Sequence, residues 1–177
     1  NHRNGKPFLT LKTISKEGGY SPLGLKFYDG NFSEDDLLDF GDILIANTDL
    51  TRDGDVVGSP LFYDGFGLKR KTLYSMDLTK IKVNKQKICA KFLYYFLMTD
   101  RVKRYMINSS AGSTVLHLNI KRVPELDLCI PPLPEQKKIA EILSEVDNLI
   151  KTLKLKIDKL KQLKISLINN LTKKGIK

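Results

Sequence analysis

The chain has 177 residues, 41% hydrophobic and 28% charged, with 30 Lys and Arg against 20 Asp and Glu for a formal net charge of +10. This composition excludes a disordered polymer, and the lack of any run of about 20 apolar residues excludes a helical membrane span. Cys89 and Cys129 stand alone without metal-ligand spacing, so reduced thiols of a cytoplasmic protein are expected, with no signal peptide ahead of them.

In chain order, residues 8–14 predict a short strand, broken by Gly18-Gly19 and Ser21-Pro22. Residues 33–38 carry helix-start signals and predict one or two turns, ended by Gly41-Asp42. Asp42 to Ala46, Asp-Ile-Leu-Ile-Ala, is a continuous apolar run of the kind buried on both faces of a sheet. Residues 47–54 read as a polar loop; strand character resumes at Val56-Val57 and at Leu61-Phe62-Tyr63, and residues 64–67 form a turn. Residues 69–78 predict a strand with Lys69-Arg70-Lys71 at its mouth. Residues 88–107 predict a helix with Phe92, Leu93, Phe96, Leu97 and Val102 on one face. A loop at 109–113, a strand at 114–119, a turn at Lys121-Arg122 and a last strand at 126–130 complete a mixed α+β domain over residues 1–132.

From Leu133 onward the pattern changes. Pro-Leu-Pro-Glu-Gln opens a stretch with no further Pro and no Gly before Gly175. Ile139, Val146, Leu153, Leu160 and Leu167 recur every seven residues, and Leu143, Ile150, Ile157 and Leu171 form a second series four residues behind. Ile142, Leu149 and Leu163 widen the stripe. Such a repeat predicts a helix with a coiled-coil seam, about five heptads and roughly 58 Å long. Pro134 suits the first helical position and Glu135 the positive end of the dipole. A rod of this length cannot bury its stripe against one small domain and needs a partner helix, so residues 133–177 are read as a coiled-coil dimerisation helix.

Charge is segregated along the chain. Residues 26–64 hold ten acids and two bases, whereas residues 69–104 hold eleven bases and two acids. Bases interleaved with Tyr, Phe and Leu belong to folded elements, and a basic middle suggests a polyanion surface, most simply nucleic acid. No phosphate-binding loop, dinucleotide fingerprint, nucleophile elbow or zinc-protease motif occurs, and two histidines are too few for a histidine metal cluster. No cofactor or metal is expected. His117, between Leu116 and Leu118, reads as a packed or hydrogen-bonded strand residue. Glu135-Gln136-Lys137 has the Glu-x-Lys spacing of some nuclease sites, but its place in a first helical turn favours capping.

Two stretches carry a family resemblance: Gly112-Ser113-Thr114-Val115-Leu116-His117-Leu118-Asn119, and residues 126–136, which end Ile-Pro-Pro-Leu-Pro-Glu-Gln. Together they resemble the signature of type I restriction–modification specificity (S) subunits, where a target recognition domain ends and a long spacer helix opens. Gly41-Asp42-Ile43-Leu44-Ile45 and residues 91–97 are similar to family segments at matching places. The resemblance implies a non-catalytic subunit that reads one half of a bipartite duplex DNA site. It implies docking to the methyltransferase (M) subunit, with the endonuclease (R) subunit joining through M. It also implies antiparallel pairing of the long helix with a second copy or a second S half, since complete S subunits carry two recognition domains and two helices while this sequence carries one of each.

Within that reading, Lys69, Arg70 and Lys71 are candidate phosphate contacts, and Lys85, Lys87, Lys91, Arg101 and Arg104 weaker ones, since several must simply solvate a helix face. Asn47, Thr48 and Arg52, in a loop after a buried strand, are candidate base readers. Ser113 and Thr114 could offer backbone N–H groups to phosphate. Ile139, Leu143, Val146, Ile150, Leu153, Ile157, Leu160 and Leu167 form the expected seam. Two other readings stay open on the residues alone. One is a coiled-coil dimeric module for nucleic acid or an acidic protein, unrelated to restriction. The other is a metal-dependent nuclease using the acidic segment.

Overall fold

A computed structural model describes residues 5–16, 18–51, 53–127 and 129–174. It has a mixed α+β unit over residues 1–137 and a second unit over residues 138–177. The expected fold class, sheets followed by a long C-terminal helix, is what forms.

The first unit is built around β4, Ile43–Ala46, every residue of which is buried. β4 lies between β6 (Pro60–Phe62) and β8 (Leu78–Ile81), antiparallel to both. Because strand side chains alternate, Ile43 and Ile45 face one core and Leu44 and Ala46 the other. On the first face pack α1 (Ala90–Leu97) and α2 (Asp100–Asn108), through Leu93, Tyr94, Leu97, Val102 and Met106. The approach is close at Gly58, where φ is +72° and a Cβ would lie 2.3 Å from Met106. The second core gathers Leu9, Ile14, Leu38, Leu61 and Tyr63 beneath a four-stranded sheet. Its strands are β1 (Lys6–Leu9), β2 (Lys26–Tyr28), β3 (Leu37–Leu38) and β7 (Thr72–Tyr74), in the order β2-β1-β7-β3. A third, smaller sheet pairs β5 (Thr48–Asp49), β10 (Leu116–Leu118) and β9 (Ser110–Ala111).

Several local expectations are corrected. The first strand starts at Lys6 and stops at Leu9, where a 3-10 turn at Leu11–Thr13 takes over. At residues 33–38, the Asp36 carboxylate accepts from the Ser33 N–H and hydroxyl at 2.8 and 3.0 Å, holding a single 3-10 turn, Glu34–Asp36. Leu37 and Leu38 then turn extended to reach the core as β3, because two apolar residues side by side gain more from burial than from another helical turn. The strand expected at 69–78 is two, β7 and β8, separated by a turn at Ser75–Asp77. The helix expected at 88–107 breaks at Met98-Thr99, where Thr99 turns extended and its hydroxyl donates to the Phe96 carbonyl at 2.8 Å. A 3-10 helix, Ile120–Glu125, replaces the expected turn, and the described part of 126–130 forms no strand. The two prolines that follow lack N–H donors for a ladder.

α3 runs from Leu133 to Lys174, 42 residues or about 63 Å. Among the described residues no helix is long and apolar enough to cross a membrane.

Candidate nucleic-acid interface

The loop expected to read bases is partly a strand. Thr48 and Asp49 form β5, in register with His117 and Leu116 of β10. Asp49 is 1% exposed and directs its carboxylate back into its own loop. It accepts from the Thr51 N–H and hydroxyl, both at 2.7 Å, from the Val57 N–H at 2.9 Å, and from the Val56 N–H. Burial pushes this carboxyl up, but the hydrogen bonds outweigh burial and hold it below the usual carboxylate value. These bonds also explain why Val56 and Val57 are not a strand: their N–H groups serve Asp49 instead of a ladder. Asn47 is half-buried; its Nδ2 donates to the Met76 carbonyl at 3.2 Å. The Thr48 hydroxyl donates to the Asp77 carboxylate at 3.3 Å. Arg52 lies outside the described residues.

β10 brings several candidates to one ribbon. His117 pairs with Thr48 on one side and Ala111 on the other, so the three share one face. His117 is exposed rather than packed, because Leu118, its neighbour in sequence, takes the buried face. Ser113 and Thr114 are exposed in the turn from β9 to β10. That turn requires glycine: at Gly112 φ is +140° and a Cβ would lie 1.9 Å from the Val115 carbonyl oxygen.

The cationic triplet sits elsewhere. Lys69, Arg70 and Lys71 are exposed on the approach to β7, whereas the Ser75–Asp77 turn follows its other end. Arg70 donates to the Gly5 carbonyl at 3.2 Å, and Lys71 lies 3.4 Å from the Glu34 carboxylate. Beside them Lys6 covers the Phe32 ring at 4.9 Å from its centroid. Lys91, on α1, is half-buried and stands 5.5 Å from the Phe62 ring centroid.

Other bases of the middle segment are engaged within the fold. Lys103 donates to the carbonyls of Asp55 and Val57 at 2.8 and 3.1 Å and to the Ser59 hydroxyl at 2.9 Å. Burial pulls its pKa down, against the charges of Asp49 and Asp55. Lys80 donates to the carbonyls of Asp35 and Leu37 at 3.1 and 2.9 Å. Counting bases along the sequence therefore overstates the cations available to a polyanion.

Sequence reasoning also missed Gln136, which is 1% exposed and bonded to the backbone of Cys89, Lys87 and Pro131. Its place in a first helical turn hid it, since Gln there usually caps its own helix. On α3, Leu143, Val146, Ile150, Leu153, Ile157, Leu160 and Leu167 are exposed, and Ile139 is half-buried. Leu155, Ile165 and Ile168 add exposed apolar surface outside the expected seam. Among the described residues no group of three His, Cys, Asp or Glu side chains could hold a metal ion.

Comparison with known proteins bears on this arrangement. The model of the type I restriction modification DNA specificity domain matches residues 3–162. A putative type I restriction enzyme MjaX specificity subunit from Methanocaldococcus jannaschii is 29% identical over 180 residues, covering 97% of this chain and 40% of that protein. The crystal structure of the HsdS subunit from Thermoanaerobacter tengcongensis matches with TM-score 0.60 at 15% identity, over 97% of this chain and 44% of that one. The S subunit of a type I restriction–modification system from M. genitalium gives 0.61 at 17% identity, over 97% and 39%. At these identities the two structures show the shared fold, sheets followed by a long helix. The chain spans less than half the length of each of these three proteins. With the family model running from the edge of β1 to deep inside α3, the chain belongs to the type I restriction–modification DNA specificity family.

Proposed function

We propose that the chain is a DNA-reading half of a type I specificity subunit. Residues 1–132 act as a target recognition domain for one half of a bipartite duplex site. Residues 133–177 act as the spacer, pairing antiparallel with a second copy or a second S half. The paired helices dock the M subunit, and the R subunit joins through M. The chain itself does no chemistry; methyl transfer and ATP-driven cleavage belong to M and R. Free Cys89 and Cys129 suit the reducing cytoplasm in which such a complex would work.

One observation carries this reading: the chain that matches the specificity family also presents a heptad stripe left exposed from Leu143 to Leu171. An apolar surface of that extent marks an interaction site. The test is to mix the chain with its M subunit, measure the mass of the complex by sedimentation, and titrate it with duplex DNA. A complex holding M and two copies of the chain, shifting duplex DNA and cleaving none of it without R, is the expected result. Failure to bind either M or duplex would overturn the proposal.

A further inference from the structure

Met76, at 92%, is the most exposed large apolar side chain among the described residues. Its turn is firmly braced. The Ser75 N–H donates to the Leu9 carbonyl at 2.9 Å, and the Leu78 N–H closes the turn on the Ser75 carbonyl at 3.0 Å. The Asn47 N–H donates to the Asp77 carbonyl at 2.7 Å, and the Asn47 side chain donates to the Met76 carbonyl. Thr48, bonded to the Asp77 carboxylate, pairs in register with His117. Turn, β5 and β10 therefore form one ridge that carries Met76, Asp77, Thr48 and His117. Scattered exposed apolar residues are common, but an apolar residue held out by a turn bonded on both sides has a fixed position to offer a partner.

The chemistry of the ridge suits bases rather than phosphates. Neutralising phosphate charge takes Lys or Arg; none of these four residues is one, and the Asp77 carboxylate would repel a phosphate. A carboxylate can accept from cytosine N4, a hydroxyl and an imidazole can meet any base edge, and an apolar group fits the thymine methyl. A β-ribbon also fits the major groove, about 12 Å wide, where that methyl lies. The described triplet Lys69, Arg70 and Lys71 stands at the far end of β7, leaving positioning and reading to different places. Resting on the DNA-reading function above, we propose that this ridge reads the half-site in the major groove, with Met76 packed on a thymine methyl and His117 hydrogen-bonded to a neighbouring base edge.

The test uses the full chain with its M subunit and a random duplex library, sequencing the bound fraction. The unaltered chain should enrich a half-site containing thymine. Replacing that thymine with uracil removes only the methyl and should weaken binding about fourfold, the worth of one buried methyl group. In Met76→Ala that difference should vanish, and in Met76→Leu most of it should remain. His117→Ala should relax preference at one neighbouring position about fivefold or more. All three changes are at exposed positions and should leave thermal melting unchanged. Variants that enrich the same half-site with the thymine-to-uracil difference intact would overturn the ridge while the DNA-reading function stands. So would a half-site without thymine, variants that weaken M binding instead, or folded variants that lose affinity for every duplex alike. If the unaltered chain enriches no sequence, the DNA-reading function fails and the ridge with it.

Discussion

Gln136 binds Cys89 through the backbone: its Oε1 accepts the Cys89 N–H at 2.8 Å, at the N-terminal end of α1. Its Nε2 donates to the Lys87 and Pro131 carbonyls at 3.0 and 2.9 Å. One buried amide thus satisfies a donor and two acceptors at once. Removing such a partner leaves each group with its desolvation cost. Gln136→Ala should lower unfolding stability by about 2–3 kcal/mol, read as a shift in urea midpoint without a change in slope. Gln136→Glu should be at least as damaging at neutral pH, because a carboxylate would face two carbonyl oxygens. A midpoint within error of the unaltered chain for both variants would show that the amide is not a structural bond.

Asp49 makes a prediction about pH. Its carboxyl is held below the ordinary value by the bonds from Val56, Thr51 and Val57, despite burial. A carboxyl whose folded pKa is lower than its unfolded one stabilises the fold fully above the unfolded value, about 3.9. That stability is lost as pH falls through the folded value. Asp49→Asn cannot accept as many bonds and should be destabilised by about 1–3 kcal/mol at pH 7. It should also show a flatter decline in stability below about pH 4 than the unaltered chain. Parallel pH–stability curves would contradict the assignment.

The elements that sequence patterning made legible are those whose periodicity is long or whose burial is complete. β4 was readable because four adjacent apolar residues need two cores. α3 was readable because a seven-residue repeat runs for five turns of the pattern. The parts that were not legible depend on partners distant in sequence. Thr48 and Asp49 look like loop residues until β10, nearly seventy residues on, supplies the ladder. Leu37 and Leu38 look helical until β7 pairs with them. Lys103 looks like a surface cation until the carbonyls of Asp55 and Val57 close on it. For the site, the Gly112-Ser113-Thr114 segment and Asn47-Thr48 were separately visible as candidates. Their meeting on one ribbon, and the braced Met76 beside them, followed only from strand pairing.

Phosphate contacts should be separable from base contacts by salt. Lys69 is the exposed triplet member with no ion pair among the described residues; Lys71 faces Glu34, and Arg70 is bonded to Gly5. Lys69→Gln should weaken binding to cognate and scrambled duplexes alike, and flatten log K against log salt by about 0.9. Lys71→Gln should do the same less strongly, since its amine already has a carboxylate within reach. By contrast, Lys103→Met should leave the salt slope unchanged and lower stability by about 1–3 kcal/mol by orphaning two carbonyls. A slope change for Lys103→Met larger than for Lys69→Gln would reverse this division of roles.

The seam on α3 makes the sharpest prediction about assembly. Leu153 is 47% exposed in the single chain and sits midway along the heptad series. In an antiparallel pair related by a two-fold axis, every seam residue enters the interface twice. Leu153→Glu would therefore bury two unpaired carboxylates, which should cost about 3 kcal/mol or more and raise the dimer dissociation constant at least a hundredfold. Asn148→Glu adds the same charge on the outward face of the repeat and is the matched control. Lys164 falls in the second series, where its stem can pack while the amine reaches the rim, so Lys164→Leu should strengthen pairing. Sedimentation across a concentration range reads all three. Should Leu153→Glu keep the mass of the unaltered chain while Asn148→Glu loses it, the contact face would lie on the side that carries Leu155 and not on the heptad seam.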